Sequence, residues 1–299
     1  MSLSLNISSP LRYPGGKSRI STFLIDLILI NNLEGKPFYE LYAGGAGAAL
    51  NLLFSDVVSN IVINDLDAHI YSFWNSVVNN PEGILKLIHD TPVNISSWNI
   101  QRNIYENHSK FTELEVGFST FFLNRCNRSG ILYKAGPIGG LDQMGNYKID
   151  VRFNKEELSN RIKKIAHYAS RITVTNFESI DFLRRITCNL DDKFFIFLDP
   201  PYYEQGENLY LNFYKHEDHE RLRDILKKCQ TKYWFLTYDN CPEINNLYFE
   251  FTRSELPMSY TLQAKRKSKE IMIFSNSLYL PRNLRIGSKL SPLNLKSTL

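Results

Sequence analysis

Residues 194–206 read FFIFLDPPYYEQG, an apolar run that ends on an acid, two prolines and two tyrosines. Pro200 and Pro201 lack an N–H and have a fixed φ, so a buried strand ending at Asp199 cannot continue. A carboxylate beside the Pro200 carbonyl only accepts hydrogen bonds, which suits a planar –NH₂ group, and Tyr202 offers a face for its ring. Holding both amino hydrogens stabilises the positive charge that grows as the nitrogen attacks a methyl sulfonium. The tetrapeptide therefore predicts methyl transfer to an amino group.

A glycine-rich turn supplies a second group of chemically informative residues. Residues 38–50 read FYELYAGGAGAAL, in which a strand ends at Tyr42 and a helix opens after the glycines. Asp65 ends the next apolar run, eighteen residues past Gly47, where an acid can accept both hydroxyls of a ribose. This order predicts nucleoside binding without separating NAD from S-adenosylmethionine. The absence of Gly-x-Gly-x-x-Gly and the presence of Glu40 disfavour a dinucleotide.

Short apolar runs predict the strands that position these groups. The helical spacing and acidic opening of His216–Lys228, which lies between two of the runs, predict a helix there. Strand, helix and strand, with both strands apolar throughout, indicate a parallel α/β sheet covered on both faces. Ligands bind beyond the carboxyl ends of such strands, so Asp199 and the glycine loop are expected to share a crevice. The predicted strands are Phe38–Tyr42, Ile61–Ile63, Arg171–Thr175, Phe194–Leu198 and Tyr233–Thr237.

An insertion separates the second and third predicted strands. Residues 71–170, about a hundred, far exceed what a βαβ crossover needs. They contain helical patterns at Ile100–Lys110 and Phe118–Cys126 and a glycine-rich loop at Lys134–Gly145. We therefore predict a mainly helical target-recognition subdomain at 71–170, inserted into a catalytic domain formed by 1–70 and 171–299.

The C-terminal part carries a predicted hairpin and a basic tail. Met258–Leu262 and Ile271–Ser275 flank a basic segment and are predicted to pair as a hairpin with that segment at its tip. Ser277–Leu299 contains four basic residues and no acid. This composition predicts a frayed, solvated end.

Composition limits the class of protein. The chain is 43% hydrophobic and 22% charged, which predicts a substantial core and excludes disorder. A net charge of +4 and a pI near 8.7 permit a polyanionic partner without requiring one. The four cysteines are scattered, which predicts reduced thiols and neither a disulfide frame nor a zinc site.

Two further features exclude a metal site and a membrane span. His216, Asp218 and His219 open an acid-rich helix and are predicted to be solvated and to bind no metal. The most apolar early run, Phe23–Ile30, contains Asp26 and is too short to span a bilayer. With no secretory signal, the chain is predicted to be a soluble cytoplasmic protein without a membrane partner.

These motifs together resemble the Dam-like DNA adenine methyltransferases, which methylate the exocyclic amino group (N6) of adenine. LRYPGGKSRI is similar to that family's amino-terminal Gly-Gly-Lys motif, FYELYAGGAG to its glycine loop and IND to its ribose-binding acid. FFLNRCNRSGILYK is similar to a segment of its recognition domain, and DPPY is its catalytic tetrapeptide. The order of glycine loop, insert and DPPY is that of the group. Leu41, in place of a usual proline, and Glu178, in place of a usual aspartate, depart from the pattern.

The resemblance implies a Rossmann-like sheet that uses S-adenosylmethionine, yields S-adenosylhomocysteine and acts on double-stranded DNA. It implies a metal-free reaction in the cytoplasm of a bacterial, archaeal or phage-infected cell, as part of a restriction-modification, phage or defence system. The single-insert layout predicts a monomer on DNA. A flipped adenine also requires phosphate contacts, for which clustered basic residues are candidates. The residues implied are Tyr13, Lys17, Glu40, Gly44, Asp65 and, more weakly, Glu178 for the cofactor; Asp199, Pro200 and Tyr202 for catalysis; and Arg125, Arg128, Lys265, Arg266 and Lys267 for DNA.

Two other functions are compatible with parts of the pattern. The same acceptor site suits a methyltransferase for protein glutamine or for RNA, although those relatives usually begin the tetrapeptide with Asn and lack the insert. A DNA-binding subunit without catalysis is the third hypothesis, and the intact Lys17, Asp65, Asp199 and Tyr202 disfavour it.

Overall fold

The computed structural model describes residues 9–13, 16–187, 193–204, 214–229, 232–256 and 270–296. Two sheets are present in this part of the chain, one of eight strands and one of two. The strands are β1 Phe38–Glu40, β2 Ile61–Asn64, β3 Ile172–Thr175, β4 Phe195–Leu198, β5 Tyr233–Asp239, β6 Thr252–Leu256, β7 Glu270–Phe274, β8 Asn283–Ile286, β9 Lys289–Pro292 and β10 Leu295–Lys296.

The large sheet has the strand order β10-β6-β7-β5-β4-β1-β2-β3. Strands β1 to β5 pair in parallel, whereas β7 is antiparallel to both β5 and β6. Phe195 and Phe197 of β4 face one hydrophobic core, and Ile196 and Leu198 face another, so the strand is buried on both faces. The predicted α/β class with a mostly parallel, Rossmann-like sheet is confirmed.

Helices cover both faces of the sheet. The first core is shared with the helices of the amino-terminal part and the insert, and the second with helices of the C-terminal half. The helix predicted at His216–Lys228 has those bounds in the structure. The α-helices are α1 Ser21–Ile30, α2 Gly47–Phe54, α3 Ala68–Asn79, α4 Pro81–Asp90, α5 Ile95–Glu106, α6 Glu113–Cys126, α7 Lys155–His167, α8 Ser179–Thr187, α9 His216–Lys228 and α10 Pro242–Leu247.

Residues 71–170 are mainly helical and join the first core. Helix α3 packs against α6 and β3, with Phe73 stacked on Phe121 at a ring-centre distance of 5.6 Å. The helix predicted at Phe118–Cys126 begins earlier, at Glu113, because Thr112 and Glu115 form a capping box. The pattern predicted at Ile100–Lys110 corresponds to the end of α5 and a following 3-10 turn. The division into two domains at these boundaries stays a prediction.

The C-terminal tail differs from its predicted frayed state. Strands β8 and β9 form a hairpin, and β10 extends the large sheet at β6. The Arg285 guanidinium forms an ion pair with Asp26 of α1, 259 positions earlier, with Nε 2.8 Å from Oδ2. The acid that holds the tail, Asp26, lies in α1, so the sequence of the tail itself does not indicate this partner.

The predicted C-terminal hairpin is present with a different first strand. The strand that pairs antiparallel with β7 is β6, Thr252–Leu256. The predicted Met258–Leu262 strand and the basic tip with Lys265, Arg266 and Lys267 lie outside the described residues. Within the described ranges, no helix combines the length and the apolar character that crossing a membrane would require.

Candidate active site

A cleft opens at the carboxyl ends of β1 and β4, where the strand order reverses. Glu40 and Phe197 are register partners, so the glycine loop after β1 and Asp199 after β4 leave the sheet side by side. The predicted residues Tyr13, Lys17, Glu40, Gly44, Asp65 and Asp199 all line this cleft. The structure therefore brings four separate sequence motifs together at the position where α/β sheets bind ligands.

Asp199 is held from both sides by hydrogen bonds. Lys17 Nζ donates to Asp199 Oδ2 at 2.8 Å, and Thr237 Oγ1 donates to Asp199 Oδ1 at 2.6 Å. Thr237 is fully buried on the neighbouring strand β5, whereas the Asp199 side chain is 20% exposed and faces the cleft. The carboxylate is thus oriented before any substrate arrives, and each of its oxygens still has a lone pair for a further donor.

Lys17 connects Asp199 to a buried carboxylate that sequence reasoning missed. Its ammonium donates to the Tyr202 hydroxyl at 2.8 Å and lies 3.7 Å from Glu270 Oε1. The Tyr202 hydroxyl in turn donates to Glu270 Oε1 at 2.7 Å. The side chains of Lys17 and Glu270 are 3% and 2% exposed. Glu270 was missed because it is the first residue of β7 and no motif surrounds it; only strand pairing brings it to the site.

The loop after Asp199 is fixed by a second acid that sequence reasoning missed. Asp239, the last residue of β5, accepts from the backbone N–H of Tyr203 at 2.9 Å and of Glu204 at 2.8 Å. Asp239 is 4% exposed. Because these two N–H groups belong to the residues directly after the tetrapeptide Asp199–Tyr202, Asp239 fixes the path of the chain as it leaves the tetrapeptide.

Gly44 allows the glycine loop to pass close to Tyr13. Its φ is +45°, and a Cβ at this position would lie 2.6 Å from an atom of the Tyr13 ring. The Gly44 N–H donates to Asp65 Oδ2 at 2.8 Å, and its carbonyl accepts from Trp74 Nε1 of α3 at 2.8 Å. Asp65 and Trp74 therefore hold the loop from two sides, and Trp74 connects it to the inserted segment.

Two carboxyl groups in the cleft have raised pKa values. Burial raises the pKa of Glu40 to about 8, and the Ala49 N–H, 2.9 Å from Oε2, only partly offsets this. Burial, together with the charge of Asp67, raises the pKa of Asp65 to about 7, against the hydrogen bonds from Gly44 and Asp67 N–H. Both groups therefore change charge near neutral pH, where a positively charged ligand would favour their ionised forms.

Glu178 lies beside the cleft and does not line it. One carboxylate oxygen accepts from the Asp181 N–H at 2.8 Å, and the other accepts from the Tyr214 hydroxyl at 3.4 Å. Ser179 and Tyr214 do line the cleft. A contact between Glu178 and the cofactor stays a prediction.

The two insert arginines have different environments. Arg125 is 9% exposed, and its guanidinium donates to the carbonyls of Arg152 and Pro10. Burial lowers its pKa to about 10. Arg128 is exposed and contributes to a second, shallow pocket with residues of the glycine-rich loop. Arg128 is therefore accessible to a phosphate, whereas Arg125 attaches α6 to the amino-terminal segment; DNA binding by either residue stays a prediction.

His219 differs from its predicted solvated state. It is 1% exposed, and its Nδ1 lies 2.7 Å from the hydroxyl of buried Tyr238. Burial lowers its pKa to about 4, so the ring is neutral and tolerates the apolar surroundings. His216, by contrast, is exposed, and its Nδ1 lies 3.1 Å from the Tyr203 hydroxyl. In the described ranges, no three His, Cys, Asp or Glu side chains are grouped as a metal site would require.

This sheet and cleft define an α/β protein with a ligand crevice at the carboxyl ends of its strands, and comparison with known proteins gives its family. Residues 13–262 match the model of the D12 class N6 adenine-specific DNA methyltransferases, and the chain belongs to this family. Its members transfer a methyl group to adenine in DNA. The predicted enzyme class, substrate and methyl transfer are therefore confirmed.

Individual relatives are distant. The type II methyltransferase M1.LlaDCHI from Lactococcus lactis subsp. cremoris is 25% identical over 277 residues, 89% of this chain and 93% of that protein. The modification methylase StsI from Streptococcus sanguinis is 25% identical over 208 residues, 66% of this chain and only 29% of that protein. The solved structure of protein LPL1258 from Legionella pneumophila, described as DUF519, aligns over 92% of this chain and 87% of that one, with 11% identity and a TM-score of 0.31. A structural likeness this weak supports no conclusion.

Proposed function

We propose that this chain transfers the methyl group of S-adenosylmethionine to N6 of an adenine extruded from double-stranded DNA. The observation that carries the proposal is the cleft that Asp199 shares with the glycine loop and with Asp65, which accepts a hydrogen bond from the Gly44 N–H. A methyl donor and an amino acceptor must meet within one cleft for direct transfer, and these groups line the same cleft.

The cleft suits a positively charged nucleoside better than a dinucleotide. Its carboxylates are those of Glu40, Asp65, Asp67 and Asp199, and Lys17 is the basic residue among the described lining residues. A pyrophosphate would favour the opposite balance of charge. When bound, S-adenosylmethionine supplies the electrophilic methyl group on a positively charged sulfur. We expect Asp65 to bind its ribose, and Tyr13, Lys17, Glu40 and Gly44 to form the rest of its site.

The acceptor side of the site consists of Asp199, Pro200 and Tyr202. The Asp199 carboxylate, held by Thr237 and Lys17, accepts a hydrogen bond from the target amino group, and the Pro200 carbonyl accepts the other hydrogen. These acceptors stabilise the positive charge that develops on nitrogen during attack. No strong base is needed, because the methylated nitrogen is acidic and loses its proton afterwards. The Tyr202 ring supplies a face for the base.

Extrusion of a paired adenine costs a few kcal/mol and requires contacts to the DNA backbone. Arg128 is exposed in the insert, and Lys265, Arg266 and Lys267 are close in sequence to β7, which begins at the active site. We expect these residues to contact phosphates. The enzyme is proposed to act as a monomer, since one chain contains both the cleft and the insert.

A protective role alongside a restriction nuclease is the biological setting we propose. Two of its relatives are a type II methyltransferase and a modification methylase. DNA isolated from cells that express this chain should then resist a nuclease that cleaves the same site. Sequencing that detects methylated bases would identify the site.

The direct test is incubation with S-adenosylmethionine tritiated on its methyl group and with duplex DNA, RNA or protein, followed by digestion. N6-methyladenine from DNA is the expected product. Label in RNA or in a glutamine side chain would contradict the proposed substrate. No label with any substrate, from folded protein that binds the donor, would contradict catalysis.

A further inference from the structure

We infer that Glu270 is a positioning residue for methyl transfer, acting through Lys17 and Tyr202 on Asp199. The inference rests on the proposed role of Asp199 as the acceptor for the target amino group. Glu270 does not line the cleft, and its carboxylate contacts Lys17, which does, and the Tyr202 hydroxyl.

The charges around Asp199 form a compact, nearly neutral group. Lys17 Nζ lies 2.8 Å from Asp199 and 3.7 Å from Glu270, and Arg19 lies 3.5 Å from the other oxygen of Glu270. Two cations thus face two carboxylates. The Glu270 side chain is 2% exposed, so water screens its charge poorly. Without the Glu270 charge, two cations would face one carboxylate at the place where the target nitrogen becomes positive.

Glu270 also determines how strongly Lys17 engages Asp199. Lys17 donates to both Asp199 Oδ2 and the Tyr202 hydroxyl, while Glu270 Oε1 accepts a hydrogen bond from the Tyr202 hydroxyl at 2.7 Å. With the carboxylate of Glu270 nearby, the ammonium has a second anion to balance it. Its attraction to Asp199 is therefore weaker, and Asp199 keeps more of its charge for the target amino group. Loss of the Glu270 charge would strengthen the attraction of Lys17 to Asp199.

The position of Glu270 in the sheet fixes this geometry. It is the first residue of β7 and pairs with Asp239 at the end of β5, and Asp239 holds the loop after the tetrapeptide. The strand that presents Glu270 is therefore the neighbour of the strand that presents Thr237 and Asp239. A change in its charge need not move the backbone of either strand.

The test is Glu270→Gln, which keeps the size of the side chain and an oxygen that can accept from Tyr202 but removes the charge. Single-turnover methylation of duplex DNA should slow by about 10- to 100-fold, toward the range for one preorganised electrostatic group. The Kd for S-adenosylmethionine and the KM for DNA should stay within about threefold, since the charge acts mainly in the transition state. Glu255→Gln is the matched control, because Glu255 lies on the adjacent β6 with a 41% exposed side chain and should leave the rate unchanged.

A double-mutant cycle with Lys17→Met separates positioning from a merely structural role. If Glu270 acts through Lys17, Glu270→Gln should slow the Lys17→Met variant by less than about threefold. If the double variant instead loses rate by the product of the two single-variant losses, the inference is contradicted. A rate for Glu270→Gln within threefold of wild type would contradict it as well, and would leave the proposed function intact if Asp199→Ala still lowers the rate by about 10²-fold or more.

Thermal melting of every variant is measured first. Should Glu270→Gln fail to fold, Tyr202→Phe provides the second test, because it breaks the hydrogen bond to Glu270 and keeps both the ring and the carboxylate. Its single-turnover rate should fall at least about fivefold at unchanged donor affinity. A wild-type rate in Tyr202→Phe would overturn the inference.

Discussion

Lys17 and Asp199 are 182 positions apart in the chain and form a 2.8 Å ion pair in the cleft. The pair joins the amino-terminal segment to the tetrapeptide at the end of β4. Lys17 is 3% exposed and Asp199 20%, so the carboxylate is the member of the pair that a substrate can reach. The ion pair thus orients Asp199 from the buried side and leaves its accessible side for the target amino group.

The first prediction concerns Asp65 and the methyl donor. Asp65→Ala should weaken the binding of S-adenosylmethionine by about 1.5–3 kcal/mol, the usual contribution of hydrogen bonds to a charged group. Part of the loss will reflect the Gly44 N–H, which donates to Asp65 in the free protein. Titration calorimetry measures the affinity, and Asp56→Ala, at a surface ion pair with Arg171, is the control. Unchanged affinity in folded Asp65→Ala would remove Asp65 from the donor site.

The second prediction is that donor affinity rises with pH. Burial raises the pKa of Asp65 to about 7 and that of Glu40 to about 8. Both carboxyl groups are therefore largely protonated at pH 6, and at pH 8.5 Asp65 is ionised and Glu40 is mostly ionised. Because the donor carries a positive sulfonium, it should bind the ionised form better and release protons on binding. Each carboxyl that must ionise changes the affinity by up to about tenfold per pH unit below its pKa.

Calorimetry at pH 6 and pH 8.5, in buffers of different ionisation enthalpy, measures both the affinity and the proton release. Asp65→Asn removes one of the titrating groups, so the pH dependence should become shallower in that variant. An affinity that is constant across this range in the wild type would contradict the role of these carboxylates.

The third prediction concerns Arg128. Arg128→Ala should lower DNA affinity and reduce the slope of log K against log salt concentration by about one, as expected for one lost phosphate contact. Donor affinity should stay unchanged, because Arg128 does not line the cleft. Fluorescence anisotropy at several salt concentrations gives the slope. A slope equal to that of the wild type would show that Arg128 contacts no phosphate.

The fourth prediction separates Arg125 from Arg128. Arg125 donates to the carbonyls of Pro10 and Arg152 and is 9% exposed, so Arg125→Ala should destabilise the fold by about 1.5–3 kcal/mol. Chemical denaturation measures this loss, and Arg128→Ala should show little of it. If Arg125→Ala instead keeps wild-type stability, and its slope of log K for DNA against log salt concentration falls by about one, Arg125 belongs to the DNA interface.

The strands and the chemically informative motifs were predictable because their signals are local. The apolar run before Asp199, the glycines after β1 and the acid after β2 each lie within a short stretch, and the α/β sheet follows from them. Lys17 was identified only through the resemblance of its motif to a family. Its ion pair with Asp199, 182 positions later, could not be predicted from the spacing of residues in the sequence.

The residues that were missed reach the site through long-range packing. Thr237 and Glu270 come from β5 and β7, and they approach Asp199 and Lys17 only because the strands pair in that order. Trp74 of the insert donates to the Gly44 carbonyl, and this contact likewise depends on packing between segments that are far apart in sequence. The burial of His219 and the docking of the tail by Arg285 likewise depend on partners far away in sequence.

The central claim is that the Asp199 carboxylate stabilises the charge that develops on the target amino group, and single-turnover methylation of an adenine-containing duplex by Asp199 variants tests it most directly. Asp199→Ala should lower the rate by about 10²–10³ or more, at nearly unchanged DNA affinity, since phosphate contacts dominate binding. Asp199→Asn keeps an acceptor oxygen without the charge and should fall between Ala and wild type. With thermal melting as the folding control, an Ala variant that methylates within a few-fold of wild type would contradict the account.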